Sequence, residues 1–310
     1  KDLKLNIIKE NSKSKISNKT IIKNISINSK SIKKNDVFFA IKGKRLDGNK
    51  YVSEAFERKS SLAIVNRINK DYSALKQVKV KKTLSFLTKC SSIFRENINA
   101  KIISITGSCG KTTLKEMIGL TLKNVSRTTY SPKSFNNKYG VPISLFNLKQ
   151  NDEFGIFEVG MDKKGEINSL SKIIKPDLAI ITNISYAHSK NFKDIRQIAD
   201  AKAEIMNNIK KEGFIVLNRD DNFYEYLKNT ALKKKLKVIS FGIKNNGFSY
   251  FVLFVYSSVL GLPAWMTGLA LNLVLIADAI TDPLVGYYSD RTRSRWGRRH
   301  PFMYAAALPV

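Results

Sequence analysis

An α/β fold built on a mostly parallel sheet is predicted for residues 1–247, and a helical, membrane-directed segment for residues 248–310. Three observations lead there. Short β-branched runs, KIISIT (101–106), FGIFEV (154–159) and DLAIIT (177–182), each read as a strand. The first runs through a glycine turn into sequence of helical spacing, a strand–loop–helix unit. Lysine stops at the third landmark: residues 1–247 hold 42 lysines and no tryptophan, whereas residues 248–310 hold no lysine and both Trp265 and Trp296. A chain of 310 residues exceeds one ordinary domain, so two or three units with cores of their own are expected.

From the N-terminus, KDLKLNIIKENSKSK has no apolar run long enough for a signal peptide, and the chain is expected to begin inside a longer protein. The net charge of +29 would suit nucleic acid or an anionic membrane. Its distribution argues for solvated lysine faces and no nucleic-acid partner, because the lysines are spread through Asn- and Ile-rich sequence without clustering or interleaved aromatics. Cys90 and Cys109 show no metal spacing, which fits a reduced compartment.

ITGSCGKTTLKEM (105–117) is a phosphate-loop pattern with its first glycine displaced: the usual spacing would put glycine at Ile105, and it stands at Gly107. The chemistry still has its parts. Gly107 and Gly110 let the main chain approach an anion, with Ser108 and Cys109 between them. Lys111 can bridge phosphates, and Thr112 or Thr113 offers a hydroxyl toward Mg²⁺. Leu114, Met117, Ile118 and Leu122 predict the apolar face of the helix that follows. Glu158 is the next-to-last residue of the run FGIFEV, so it should lie at the carboxyl end of a parallel strand, where open α/β sheets bind ligands, and hold Mg²⁺ beside Thr112. His188 is the one histidine of residues 1–247.

The shortened loop TGSCGKTT resembles that of the Mur ligases. SFNNKYGVPISLFNL (134–148), FEVGMDKKGEI (157–167), KPDLAIITNISYAHSKNF (175–192) and IADAKAEI (198–205) resemble the MurF type in order and spacing. SINSKSIKKNDVFFAIKGKRLDGNKYV (26–52) is similar to the UDP-sugar-binding domain of that family. The resemblance implies a small α/β substrate domain over 1–98 and a truncated P-loop ATPase domain over 99–247. It implies ATP and Mg²⁺ as cofactors, UDP-MurNAc-tripeptide and D-Ala-D-Ala as substrates, a monomer, and a cytoplasmic location for residues 1–247. It makes Lys111, His188 and Lys202 catalytic, with His188 and a carbamylated Lys202 as further metal ligands, and puts Asn136 and Asn137 near the phosphates. Ser29, Lys30, Gly43, Asp47 and Gly48 would hold the UDP-sugar. Two departures stand out: the family's D-S-R is Asn28-Ser29-Lys30, an exchange of guanidinium for point charge, and its glycine before Asp36 is Asn35. The adenine-contacting helix and the C-terminal domain of the family are expected to be missing after VISFGIKNNG (238–247), with loss of turnover.

Beyond the break, residues 251–288 are almost uninterruptedly apolar, and Ala264 to Tyr288 predicts a membrane-spanning helix. The arginines of SDRTRSRWGRRH (289–300) should face the cytoplasm, so contact with an inner membrane is expected here. Asp278 and Asp282, four apart inside the apolar span, predict a cation site, since carboxylates there are costly unless paired or ion-bound. DAITDPLVGYYSDRTRSRWGRRHPF (278–302) resembles the glycoside-pentoside-hexuronide:cation symporters. The junction near residue 248 is expected to join two coding sources, each incomplete.

Overall fold

The computed structural model describes residues 3–12, 14, 16–17, 19–43, 46–186, 191–242, 263 and 265–266. It divides into two compact units, Lys1–Ser240 and Phe241–Val310. In the second unit Trp265 and Met266 are helical and exposed; the expected cation site at Asp278 and Asp282 and the expected spanning helix from Ala264 to Tyr288 lie, apart from Trp265 and Met266, outside the described residues. Among the described residues no helix is long and apolar enough to cross a membrane.

After α1 (Leu3–Ser12), two parallel sheets organise the first unit. The smaller has the order β1 (Ile25–Ser26), β2 (Val37–Phe39), β3 (Leu62–Val65), β4 (Gln77–Lys79). Its inner strands read apolar without alternation because both faces are covered. Val37, Phe39, Leu62 and Ile64 face the main core, while Phe38, Ala40, Ala63 and Val65 pack with Val52 and Ala55 of α2 (Val52–Glu57). After α3 (Thr83–Glu96) comes the larger sheet, in the order β10 (Lys237–Phe241), β9 (Phe214–Asn218), β8 (Leu178–Ile181), β5 (Lys101–Thr106), β7 (Phe154–Glu158), β6 (Thr128–Tyr130). β5 pairs in parallel with β7 on one side and β8 on the other. From β5 the chain runs to the edge at β6 and returns through β7 before crossing to β8 on the other side, so the order reverses at β5, and a ligand crevice belongs at the carboxyl ends there.

Helix α4 (Lys111–Val125) corrects one expectation. Met117 is exposed, and the buried face is Lys115, Gly119 and Leu122; Leu114 and Ile118 are half-buried. Gly119 decides this rotation: a Cβ there would lie 2.6 Å from the Tyr130 ring, so the helix seats its glycine directly on β6. Lys115, one turn earlier, follows it inward.

Candidate functional site

Four neighbouring strands, β8, β5, β7 and β6, deliver the site from their carboxyl ends. The loop after β5 requires both its glycines. Gly107 has φ of +147°, and a Cβ would lie 1.9 Å from Thr182 Oγ1; Gly110, in the left-handed region at +77°, caps α4. The first intrahelical bond runs from the Leu114 N–H to Gly110 C=O, so the N–H groups of Lys111, Thr112 and Thr113 precede the helix's own bonding. The Lys111 ammonium donates to the carbonyls of Gly107 (2.9 Å) and Ser108 (3.2 Å) and is held over the loop.

The loop is seated on the segment after β8, which the sequence reading did not assign. Asn183 Oδ1 accepts from the N–H groups of Ser108 (3.2 Å) and Cys109 (2.9 Å), so those two amides serve the loop's own shape. Thr182 Oγ1 donates to Cys109 C=O (2.6 Å), and Ser108 Oγ exchanges hydrogen bonds with the Ser185 backbone. A polar residue directly following an apolar strand was the signal for Asn183.

Glu158 stands where expected, at the end of β7, and is 1% exposed. Its carboxylate accepts from Thr112 Oγ1 (2.7 Å) on one oxygen and from Asn136 Nδ2 (2.6 Å) on the other. Thr112, Glu158 and Asn136 therefore meet. Asn137 does not join them: its side chain accepts from the N–H groups of Tyr139 and Gly140 at the amino end of α5 (Gly140–Leu145). The donor set fits Mg²⁺, which takes oxygen ligands from one or two carboxylates and keeps several waters.

Lys202 lies on α7 (Ile195–Ala203) and is 2% exposed. Burial, and then the like charge of Lys111, lower its pKa from 10.5 to about 7. His188 lies outside the described residues. Two residues beyond Lys202, the Glu204 carboxylate accepts from the N–H groups of Gly165 (2.8 Å) and Asn168 (3.1 Å) and holds the amino end of α6 (Glu166–Ile174). A cleft of about 470 Å³ opens beside the loop, lined by Lys111, Asn136, Tyr139, Lys163 and Glu166 among others.

In the smaller sheet, Ser29 donates to Glu54 Oε2 (2.7 Å) on α2, and Asn28 caps the turn that carries Ser29 and Lys30. Gly43, Asp47 and Gly48 form the loop after β2. The Gly43 N–H bonds Leu46 C=O, Asp47 accepts from Asn49 and Arg67, and a Cβ on Gly48 would lie 2.6 Å from the Ile41 nitrogen. Hydrogen bonds from Asn49 hold the Asp47 carboxyl below its ordinary pKa. Asn35 adopts φ of +72°, a conformation that asparagine tolerates better than other side chains, so the turn before Asp36 survives the loss of glycine.

Among known families, residues 105–260 match the model described as "Mur ligase middle domain" and residues 21–91 that described as "Mur ligase family, catalytic domain". Residues 236–310 match one described as "MFS/sugar transport protein". A Rickettsia prowazekii (strain Madrid E) protein named "UDP-N-acetylmuramoyl-tripeptide--D-alanyl-D-alanine ligase" is 35% identical over 243 residues, 77% of this chain and 53% of that protein. A Bacillus subtilis (strain 168) protein of the same name is 32% identical over 203 residues, 65% of this chain and 44% of that one. Among solved structures, MurF from Acinetobacter baumannii gives a TM-score of 0.70 at 32% identity, covering 77% of this chain and 52% of that chain. MurF ligase from Thermotoga maritima, solved in complex with ADP, gives 0.64 at 29% identity, covering 73% and 52%. The chain spans about half the length of the curated relatives it matches.

Proposed function

The chain belongs to the Mur ligase family, and from that premise we propose that it is the substrate-binding and ATPase part of an ATP-dependent ligase joining D-Ala-D-Ala to UDP-MurNAc-tripeptide. The observation that carries the reading is the meeting of the Gly107–Lys111 loop, Thr112 and Glu158 at the carboxyl ends of β5 and β7. In this reaction class a carboxylate is phosphorylated and the resulting acyl phosphate is attacked by an amine, releasing phosphate. No protein nucleophile is needed, so the residues bind, align and neutralise charge. Lys111 and the N–H groups of Thr112 and Thr113 face the phosphates, and the adjoining cleft takes the tripeptide carboxylate. Mg²⁺, held by Glu158 and Thr112, would neutralise phosphate charge.

His188, and Lys202 as its carbamate, complete the proposed ligand set. A pKa of about 7 leaves much of the Lys202 amine unprotonated, the form that adds carbon dioxide. We assign residues 1–98 to the UDP-sugar domain, with Ser29, Lys30, Gly43, Asp47 and Gly48 facing the substrate, and residues 99–247 to a truncated ATPase domain working in the cytoplasm as a monomer. The test is binding of a fluorescent ATP analogue to the full chain. We expect Mg²⁺-dependent binding that ADP competes away and UDP-MurNAc-tripeptide strengthens; equal affinity in Lys111→Ala sinks the reading.

A second reading applies to residues 248–310, where the transporter family match favours a symporter fragment with Asp278 and Asp282 as its cation site. The overlap of two unrelated family matches over residues 236–260 supports a junction of two coding sources. Long reads of the transcript across this point decide it.

A further inference from the structure

We propose that Lys115 is a positioning residue that fixes the segment 131–137 against Glu158, and so sets the geometry of the phosphate and metal site without touching either ligand. Its side chain is fully buried. The ammonium donates to Ser131 C=O (2.7 Å) and to Lys133 C=O, with Glu116 Oε1 at 2.8 Å. Desolvating an ammonium is costly, and a surface helix offers a long lysine an easy route to water. Here it turns inward to two main-chain carbonyls on either side of Pro132, where Lys133 has a left-handed φ of +48°.

What that segment does explains the anchor. Ser131 Oγ accepts from the Glu158 N–H (3.4 Å), Ser134 Oγ lies 3.4 Å from Thr112 Oγ1, and Asn136 Nδ2 donates to Glu158 Oε1 (2.6 Å). Thr112 and Lys115 are one turn apart on α4, neighbours on the helix surface. One helix thus contributes a hydroxyl to the site and, three residues on, the cation that holds the loop opposing it. The position of Asn136 is thereby referenced to the phosphate loop itself. The proposal rests on the reading of Thr112 and Glu158 as the metal-facing pair.

The experiment compares wild type, Lys115→Met, Lys115→Arg and Glu158→Gln as full chains, by hydrogen exchange and by Mg²⁺ titration of a fluorescent ATP analogue. In Lys115→Met, exchange across residues 131–139 should rise about tenfold and the Mg²⁺ needed for half-maximal binding should rise about tenfold, with metal-free affinity kept within about twofold. Lys115→Arg, which keeps the charge, should fall between Lys115→Met and wild type. Unchanged exchange across 131–139, or metal-free affinity falling in step with the Mg²⁺ response, overturns the proposal. If Lys115→Met fails to fold, Lys115→Arg is read by the same two measures. Should Glu158→Gln leave the Mg²⁺ response at wild-type level, the metal reading fails separately, and exchange across 131–139 still decides for or against Lys115.

Discussion

Burial of Lys202 beside Lys111 moves its ammonium from 10.5 to about 7, and a consequence for stability follows. The unfolded chain keeps that proton up to about pH 10.5 while the folded chain releases it above about pH 7, so the unfolded state binds more protons in this window. Stability should therefore rise with pH between 7 and 10, by up to about 1.4 kcal/mol per unit from this group, and the slope should vanish below pH 7, where both states are protonated. Lys202→Met should remove this component of the slope and melt at or above the wild-type temperature at pH 7, while the Mg²⁺ dependence of nucleotide binding suffers. A wild-type melting temperature flat from pH 7 to 9, with no difference from Lys202→Met, would refute this. Lys111→Ala should lower nucleotide affinity about 100-fold, since a charge-assisted contact to phosphate is lost, with the melting temperature nearly unchanged. Isothermal titration with ADP checks it. The motif announced Lys111, whereas Lys202 was picked out only by resemblance, and burial together with the neighbouring Lys111 charge is what lowers its pKa in the fold.

At the scale of elements, the phosphate loop is shaped as much by the end of β8 as by its own glycines. Gly107→Ala meets two obstacles, a φ of +147° and Thr182 Oγ1 at 1.9 Å from the new Cβ. It should destabilise the unit by about 2–4 kcal/mol and weaken nucleotide binding. Adding Thr182→Ala should recover only part of this, because the backbone strain stays. Full recovery in the double variant, measured by urea unfolding, would show that the contact alone matters. Asn183→Ala should loosen the loop differently, freeing the Cys109 amide while the Ser108 N–H keeps its bond to the Asn183 C=O (3.0 Å); we expect weaker nucleotide binding with little loss of overall stability, read by titration and melting in parallel. Strand β5 and the start of α4 were legible from apolar runs and glycine spacing. The buried face of α4 was not, because Gly119 against Tyr130 outweighed the apolar pattern that favoured Met117.

Among the described residues, the buried apolar residues of the main core run from Leu5 to Leu236, all within the first unit. A polypeptide ending at residue 247 should consequently keep the melting temperature to within about 3 °C and bind nucleotide as the full chain does. On the symporter reading, the full chain should partition onto lipid vesicles and the shorter one should stay in solution. Co-sedimentation measures both, and retention of the shorter chain by vesicles would count against it.

Local chemistry determined what the sequence could reveal by itself. Gly107, Gly110, Lys111 and Thr112 are contiguous, and β7 carries Glu158 at its end by simple apolar length, so both halves of the site were readable before they were seen to meet. Asn136 and Asn137 looked alike in sequence. Tertiary structure separated them, sending one side chain to Glu158 and the other to the amino end of α5. Asn183, Glu204 and Lys115 act across 74, 39 and 16 residues of chain, and such pairings are set by strand order and helix seating. A sequence specifies which groups can donate and accept. Which of them are driven out of water beside one another is decided only when the strands β8, β5, β7 and β6 line up and the helices close over them.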